Sequence, residues 1–184
     1  MPIKTPICDF GKVAESFELK STNNEVAKFS DIKGKNGTLI MFICNHCPYV
    51  KAVIKDIVDD CNSLKILGIK SVAICSNDSI NHPDDSFEKM IEFSKKHNFN
   101  FPYLIDKTQE IAKNYNAVCT PDFFGYNKNL ELQYRGRIRE LNNLKPVKNG
   151  ESDLYKAMKR IAETGIGPKD QTPSMGCSIK WLDN

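Results

Sequence analysis

Two cysteines separated by two residues directly follow a long apolar run in this chain. Thr38–Ile43 is continuous, apolar and partly β-branched, which predicts an interior strand covered on both faces. Cys44-Asn45-His46-Cys47-Pro48 comes next, and from Val50 the apolar residues recur at the three- and four-residue spacing of an amphipathic helix that Gly68 can end. Proline suits the first turn of a helix, where its missing N–H costs nothing. The two thiols are therefore expected where a buried strand passes into a helix.

This position favours thiol chemistry. The unpaired N–H groups and the positive end of a helix lower the pKa of a nearby thiol below its free value of about 8.5. Two intervening residues let one thiol attack a mixed disulfide formed by the other. His46 could add positive charge or shuttle a proton. The alternative is that Cys44 and Cys47 are reduced structural cysteines and that His46 merely caps the helix.

The composition limits the other classes of function. A length of 184 residues with 40% hydrophobic residues predicts a single globular domain over residues 1–184, with a Gly/Pro/Ser-rich tail at 166–184. A net charge of +3 without long runs of like charge argues against a nucleic-acid partner. The longest apolar run, Leu39–Cys44, is far short of the roughly 20 residues that span a membrane, and the first residues lack a secretory signal. We therefore expect a cytoplasmic protein with no membrane partner.

The cysteine count also limits the possible functions. Seven cysteines is an odd number, which in a chain without a signal peptide argues against a framework of structural disulfides. Redox chemistry, metal binding or plain burial remain, and we expect no bound cofactor. Cys61 and Cys75 lie on predicted apolar faces and are expected to be small core residues.

Alternation of strand and helix patterns predicts an α/β fold. Further strands are predicted at Ile69–Cys75 and Tyr103–Ile105, and further helices at Ser86–His97, Thr108–Tyr115 and Ser152–Thr164. Alternating residues predict an N-terminal hairpin about Thr22-Asn23-Asn24 and a later hairpin, Phe123 to Ile138, about Asn127-Lys128-Asn129. These elements describe a mixed central sheet flanked by helices on both faces.

Three stretches carry a resemblance to a known superfamily, and it covers most of the chain. They are Phe42-Ile43-Cys44-Asn45-His46-Cys47-Pro48-Tyr49-Val50, Val118-Cys119-Thr120-Pro121-Asp122-Phe123-Phe124, and Thr172-Pro173-Ser174-Met175-Gly176-Cys177-Ser178-Ile179-Lys180-Trp181. The sequence resembles the thioredoxin superfamily, within it the peroxiredoxin-like or redoxin branch that includes the alkyl hydroperoxide reductase and thiol-specific antioxidant relatives. The resemblance implies a thioredoxin-like fold.

The resemblance also implies roles for particular residues. Cys44 occupies the place of the thioredoxin nucleophile, and Cys47 that of the buried resolving thiol. Thr120-Pro121 resembles the cis-proline loop that lies against the two cysteines and offers backbone groups to an incoming thiol substrate. That loop would bring Cys119 near the motif.

The sequence departs from both branches of the superfamily. Peroxiredoxins resemble one another in a P-x-x-x-[ST]-x-x-C loop, but counting back from Cys47 the hydroxyl position holds Cys44 and the proline position holds Ile40. Arg137 could supply their thiolate-stabilising arginine, or it could be an ordinary solvated side chain. Thioredoxins usually carry a buried acid in the strand before the motif, and Thr38–Ile43 has none, so either His46 compensates or the dithiol turns over slowly.

Cys177 is a further candidate. A flexible tail that carries a thiol can fold back and resolve a sulfenic acid or a mixed disulfide, and Gly176 would permit the turn. The alternative is a tail cysteine that packs with Trp181 against the domain.

Three functions follow from these residues. The first is a thiol-disulfide oxidoreductase in which Cys44 attacks and Cys47 resolves, with a thioredoxin or other thiol reductant as partner. The second is a thiol peroxidase in which peroxide oxidises Cys47 or Cys44, and Cys119 or Cys177 resolves the sulfenic acid. The third is a zinc-binding or redox-sensing module built from Cys44, Cys47 and one or two of His46, Cys119 and Cys177, although no second closely spaced ligand pair is present.

Overall fold

The computed structural model describes residues 1–183. The strands are β1 (Ile3–Lys4), β2 (Glu18–Ser21), β3 (Val26–Lys28), β4 (Gly37–Phe42), β5 (Ile69–Cys75), β6 (Tyr103–Ile105), β7 (Cys119–Thr120), β8 (Asp122–Asn127), β9 (Leu132–Tyr134), β10 (Leu141–Asn142), β11 (Lys145–Pro146) and β12 (Met175–Ser178). The helices are α1 (Phe29–Ile32), α2 (Pro48–Ile66), α3 (Phe87–Lys96), α4 (Glu110–Asn114) and α5 (Asp153–Thr164), and a short 3₁₀ helix spans Pro83–Asp85.

A seven-stranded mixed sheet forms the centre of the fold, in the order β3-β2-β6-β5-β4-β8-β9. β4 lies inside it, parallel to β5 and antiparallel to β8, and all six of its residues are buried. The predicted interior strand and both predicted hairpins, β2 with β3 and β8 with β9, are confirmed. Together with the flanking helices, this is the predicted thioredoxin-like α/β architecture.

β4 divides the core into two layers because successive side chains of a strand point to opposite faces. Leu39 and Met41 pack in one layer with apolar residues of α2 and α5, while Ile40 and Phe42 pack in the other with Tyr115 and its neighbours. Full burial of each such side chain contributes about 1.5–3 kcal/mol to stability. This two-sided burial fixes the end of β4, and with it the start of the Cys-x-x-Cys segment.

Helix α2 follows the motif directly. It begins at Pro48, with Cys47 as its N-cap, and it ends at Ile66. Gly68 follows with φ +77°, a left-handed conformation that glycine adopts without steric cost. None of the helices in the described chain combines the length and apolar character needed to cross a bilayer.

The predicted tail contains an ordered strand. β12 lies between β1 and β7 in a second, three-stranded sheet, and it is antiparallel to both. The expectation of a flexible tail is therefore wrong for this segment, because backbone pairing on both sides holds it in place. Residue 184, the last of the predicted tail, lies outside the described residues.

Candidate active site

The two cysteines of the motif lie together at the start of α2. Cys44 follows the end of β4, and Cys47 caps the helix from an extended backbone conformation. Both are buried, with 1% of Cys44 and none of Cys47 exposed. The local sequence accounts for this placement, since an apolar strand leads into the turn and Pro48 starts the helix immediately after it.

Thr120 contacts both thiols. Its hydroxyl oxygen lies 3.3 Å from Cys44 Sγ, and its carbonyl oxygen accepts a hydrogen bond from the Cys47 thiol at 3.2 Å. The Thr120–Pro121 peptide bond is cis. The loop that the sequence predicted to face the motif therefore does so, while its part in binding a substrate stays a prediction.

The contacts around Cys47 lower the pKa of its thiol. A hydrogen bond with Cys44 is the main contact that lowers the pKa of Cys47, and hydrogen bonds with the Cys177 thiol and with the backbone N–H groups of Val50 and Cys177 add to it. Burial opposes this, and so does the bond from the Cys47 thiol to the Thr120 carbonyl, which only the protonated form can make. Hydrogen bonds to a charged acceptor are roughly twice as strong as neutral ones, so the four favourable contacts outweigh these two effects.

Cys44 has the opposite tendency. Its contact with Cys47 is the main cause that raises its pKa, followed by burial and by the nearby carboxylate of Asp85. The hydrogen bond with the Thr120 hydroxyl works against these effects. The contacts within the site therefore lower the pKa of Cys47 and raise that of Cys44.

A buried carboxylate supports the turn between the cysteines. Asp85, from the 3₁₀ helix, accepts hydrogen bonds from the backbone N–H of Asn45 and from Asn77 Nδ2, each at 2.8 Å. The side chain of Asn45 is held in turn, because its Oδ1 accepts from the Tyr103 hydroxyl at 2.8 Å and its Nδ2 donates to the Asp84 carbonyl at 3.1 Å. These hydrogen bonds thus hold the turn against the core.

His46 lies over the same carboxylate. Its Nδ1 is 2.5 Å from Asp85 Oδ2, but the direction is unsuited to a hydrogen bond, and Nδ1 makes none within residues 1–183. The contact is therefore electrostatic, between the imidazole and a buried carboxylate. The His82 ring stacks on His46 with centroids 6.1 Å apart. His46 is thus held at the site, although its predicted catalytic part stays a prediction.

The C-terminal strand covers the site. Cys177 of β12 is opposite Thr120 of β7, and Ser178 is opposite Cys119. Residues directly opposite each other in an antiparallel pair place their side chains on the same face, so Cys177 shares the face from which the Thr120 hydroxyl contacts Cys44. Burial and the contact with Cys47 raise the pKa of Cys177 to about 11.

The other predicted partner, Cys119, lies on the opposite face of β7. Its thiol donates to the Pro121 carbonyl at 3.6 Å, and burial raises its pKa well above the usual thiol range. The register of β12 therefore places Cys177, and not Cys119, on the same face of β7 as the Thr120 side chain, and the proximity of Cys177 lowers the pKa of Cys47.

Arg137 lies on a neighbouring surface. Its Nε donates to Asp153 at 2.7 Å, and the side chain borders a cavity of about 760 Å³ that Tyr49 and Pro121 also line. The two arginines on either side of it in sequence are also paired with carboxylates, Arg135 with Asp122 and Arg139 with Asp56. A thiolate-stabilising role for Arg137 stays a prediction.

Comparison with known proteins identifies the family. The AhpC/TSA family matches residues 10–141, which is most of the chain. The chain belongs to the AhpC/TSA family. Members of this family are thiol-dependent redox proteins, so this chain has a redox function of the thioredoxin superfamily. No curated protein matches the sequence.

Solved structures support the same fold for this AhpC/TSA protein. An uncharacterized conserved protein from Geobacillus kaustophilus is 37% identical over 100% of this chain and 98% of its own, with a TM-score of 0.91. A hypothetical protein from Sinorhizobium meliloti 1021 is 30% identical over 98% of each chain, with a TM-score of 0.89. Peroxidoxin BcpB from Mycobacterium tuberculosis is 14% identical over 67% of this chain and 81% of its own, with a TM-score of 0.56, and it shows similarity of fold alone.

One grouping at the site has the composition of a metal centre. Donor atoms of Cys44, His46 and Asp85 all lie within 4.8 Å of one another, and within residues 1–183 they are the one group of three or more that does so. The zinc set expected from the sequence, with both motif cysteines and one or two of His46, Cys119 and Cys177, is not assembled within residues 1–183.

Sequence reasoning missed Asp85. The search for a buried acid was confined to the strand before the motif, whereas the carboxylate comes from a segment about forty residues further along the chain. In the sequence, Asp84-Asp85-Ser86 has only the ordinary composition of a helix start. No local signal distinguishes Asp85 from its neighbour.

Proposed function

We propose that the protein is a thiol-disulfide oxidoreductase that cycles Cys44 and Cys47 between a dithiol and a disulfide. The observation that carries this proposal is the contact of both Sγ atoms with one residue, Thr120, beside the cis peptide bond to Pro121. A pair that holds one thiolate and one thiol in contact is prepared for two-electron exchange. Reduced partner proteins of the thioredoxin type are suitable electron donors.

The contacts favour an order of attack that reverses the one expected from the resemblance. The Cys47 thiolate attacks one sulfur of the disulfide that reaches the buried site, a new S–S bond to Cys47 forms, and the other sulfur leaves as a thiolate. Cys44 then attacks Cys47 Sγ, and its proton passes to the second leaving sulfur. The Cys44–Cys47 disulfide has then replaced the incoming one, and two electrons have moved to the substrate.

The test is turnover of a protein disulfide such as that of insulin, with dithiothreitol as the electron donor. We expect Cys44→Ser and Cys47→Ser each to abolish turnover, because neither cysteine alone can complete the cycle. Cys8→Ser is the matched control, since Cys8 is a half-buried cysteine that makes no contact with the motif. Undiminished turnover in either motif variant, or failure of the oxidised protein to form a Cys44–Cys47 disulfide, would refute the proposal.

A specific observation also favours a second candidate, a thiol peroxidase. A thiolate at a helix start, beside a second thiol that the Thr120 hydroxyl contacts, suits attack on a peroxide O–O bond. Cys47 would become a sulfenic acid as an alcohol or water leaves, and Cys44 would then condense with it to form the disulfide and release one water molecule. The pairing of Arg135, Arg137 and Arg139 with carboxylates makes this the weaker candidate, because none of these cations contacts the thiolate.

A further inference from the structure

The motif thiols are in contact with one another but not with solvent. Cys44 is 1% exposed and Cys47 is fully buried. A disulfide exchange needs the attacking sulfur, the attacked sulfur and the leaving sulfur in line. A protein disulfide cannot meet this requirement at two buried sulfur atoms while β12 covers them.

Cys177 is the thiol that lies between the buried pair and solvent. It is only partly buried, it packs against the core cluster that contains Cys44 and Cys47, and its proximity helps to lower the pKa of Cys47. Its register opposite Thr120 directs its side chain to the face on which Thr120 meets the motif. Cys177 therefore has one side toward Cys47 and another toward solvent.

The strand that carries Cys177 is built to approach closely. A Cβ atom at Gly176 would overlap the carbonyl oxygen of Thr120, so only glycine allows β12 to lie this near to β7. On one side the Ser174 hydroxyl donates to the Pro121 carbonyl at 2.8 Å, and on the other the Lys180 backbone N–H donates to Asn77 Oδ1 at 2.9 Å. The position of Cys177 is thus fixed by contacts before and after it.

We propose that Cys177 is a third redox cysteine, which exchanges with protein disulfides at the surface and passes the disulfide inward to Cys47. This proposal rests on the proposed function, since it names the route by which substrate disulfides reach the Cys44–Cys47 pair. Three exchanges make up the route, and each one conserves the number of disulfides.

In the first exchange, Cys177 attacks one sulfur of the substrate disulfide, and its proton passes to the other substrate sulfur, which leaves as a thiol. In the second, Cys47 attacks Cys177 Sγ, which forms a Cys47–Cys177 disulfide and releases the second substrate sulfur. In the third, Cys44 attacks Cys47 Sγ, and Cys177 leaves and takes up the proton that Cys44 loses. The substrate is reduced, the buried pair is oxidised, and Cys177 is regenerated.

The charges near Cys177 also support the reverse route, in which an external thiol reduces the oxidised protein. The contact with Cys47 raises the pKa of Cys177, after burial, while Lys180 and the amino terminus lower it. Once Cys47 is part of a disulfide it no longer carries negative charge, so its part in raising the pKa of Cys177 is removed. Oxidation of the buried pair therefore makes Cys177 more nucleophilic, as it must be when an external thiol reduces the enzyme.

The decisive experiment uses Cys44→Ser, in which the third exchange cannot occur. The reduced variant is mixed with oxidised insulin, quenched by acid, and mapped by mass spectrometry. We expect an internal Cys47–Cys177 disulfide without bound substrate, and in Cys47→Ser a mixed disulfide between insulin and Cys177. A substrate adduct on Cys47 in Cys44→Ser would overturn the relay while leaving the Cys44–Cys47 oxidoreductase intact.

Two further variants test the route by turnover. Cys177→Ser is expected to slow insulin reduction about tenfold or more, while Cys8→Ser stays at the wild-type rate. Gly176→Ala keeps the Cys177 thiol but displaces the strand. When it is combined with Cys44→Ser, we therefore expect the Cys47–Cys177 disulfide not to form. Unchanged turnover in Cys177→Ser, with the Cys44–Cys47 disulfide still formed, refutes the relay alone. Loss of the Cys44–Cys47 disulfide in the wild-type protein refutes the proposed function itself.

Discussion

The Asp85 carboxylate accepts a hydrogen bond from the backbone N–H of Asn45 at 2.8 Å, which ties the turn between the two motif cysteines to a segment far away in the sequence. The carboxylate is almost fully buried, and it lies near Cys44 as well as near His46. A single side chain thus holds the shape of the turn and sets part of its electrostatics.

Asp85→Asn is expected to make the Cys44 thiol easier to ionise. Cys47 and burial are the larger causes of its raised pKa, and the Asp85 charge adds to them, so removal of that charge lowers the pKa. The pH dependence of thiolate absorbance, measured in a Cys47→Ser background to isolate Cys44, checks this. Asp84→Asn is the control, because Asp84 is exposed. An unchanged titration curve would show that the Asp85 charge is not felt at Cys44.

The thiolate on Cys47 links stability to pH in the reduced protein. The folded state lowers the pKa of Cys47, so its contribution to stability is complete above the unfolded thiol pKa of roughly 8.5 and is lost as the pH falls toward the folded value. Urea unfolding of wild type and Cys47→Ser should therefore show a stability difference that grows from about pH 5 to about pH 8, with a slope of at most about 1.4 kcal/mol per pH unit. A stability difference that shrinks with rising pH would show that Cys47 does not carry the thiolate.

The buried ion pair beside the cis-proline loop is expected to matter for folding. Arg135 and Asp122 are 7% and 0% exposed, and the carboxylate also accepts the backbone N–H of Val118 at 3.2 Å. Arg135→Met leaves this carboxylate without its cation, which is expected to cost about 3–5 kcal/mol in the free energy of unfolding. Lys55→Met removes an exposed ion pair with Asp59 and should have a much smaller effect. Similar losses in the two variants would contradict this assignment.

Hydrogen peroxide separates the two candidate functions. If disulfide exchange is the main activity, rapid mixing of the reduced protein with peroxide should consume it within about tenfold of the rate of a free thiolate. Trapping of a sulfenic acid on Cys47 together with a much faster rate would instead establish the peroxidase. Thr120→Val is informative in that case, because it removes the hydroxyl 3.3 Å from Cys44 Sγ and should slow a peroxidase more than an oxidoreductase.

Much of the fold could be predicted from local patterns. The apolar run of β4 and the helical spacing after Val50 predicted the strand and helix that flank the motif, because each pattern depends on burial within one element. The helix begins two residues earlier than Val50, since Pro48 can occupy its first position. The strand at Met175–Ser178 could not be predicted in the same way, because it exists through pairing with β1 and β7, which are remote in sequence.

The site was predictable to the same degree. Cys44, Cys47 and Thr120 meet as their motifs suggested, and Cys177 joins them. The resemblance placed the attack on Cys44, whereas the contacts of the folded chain favour Cys47. That preference depends on the backbone N–H of Val50, on Cys177 and on Asp85, and short-range patterns do not show that these groups converge.

The close approach of Gly176 to Thr120 also has a consequence during protein synthesis. A ribosome makes Cys44, Cys47 and Thr120 well before it makes residues 175–178, so the nascent chain can fold its sheet while the motif is still uncovered. During that interval the two thiols lack the cover that β12 provides in the folded protein. Once the strand that carries Gly176 has formed, it covers the site and limits which molecules can react with the two thiols.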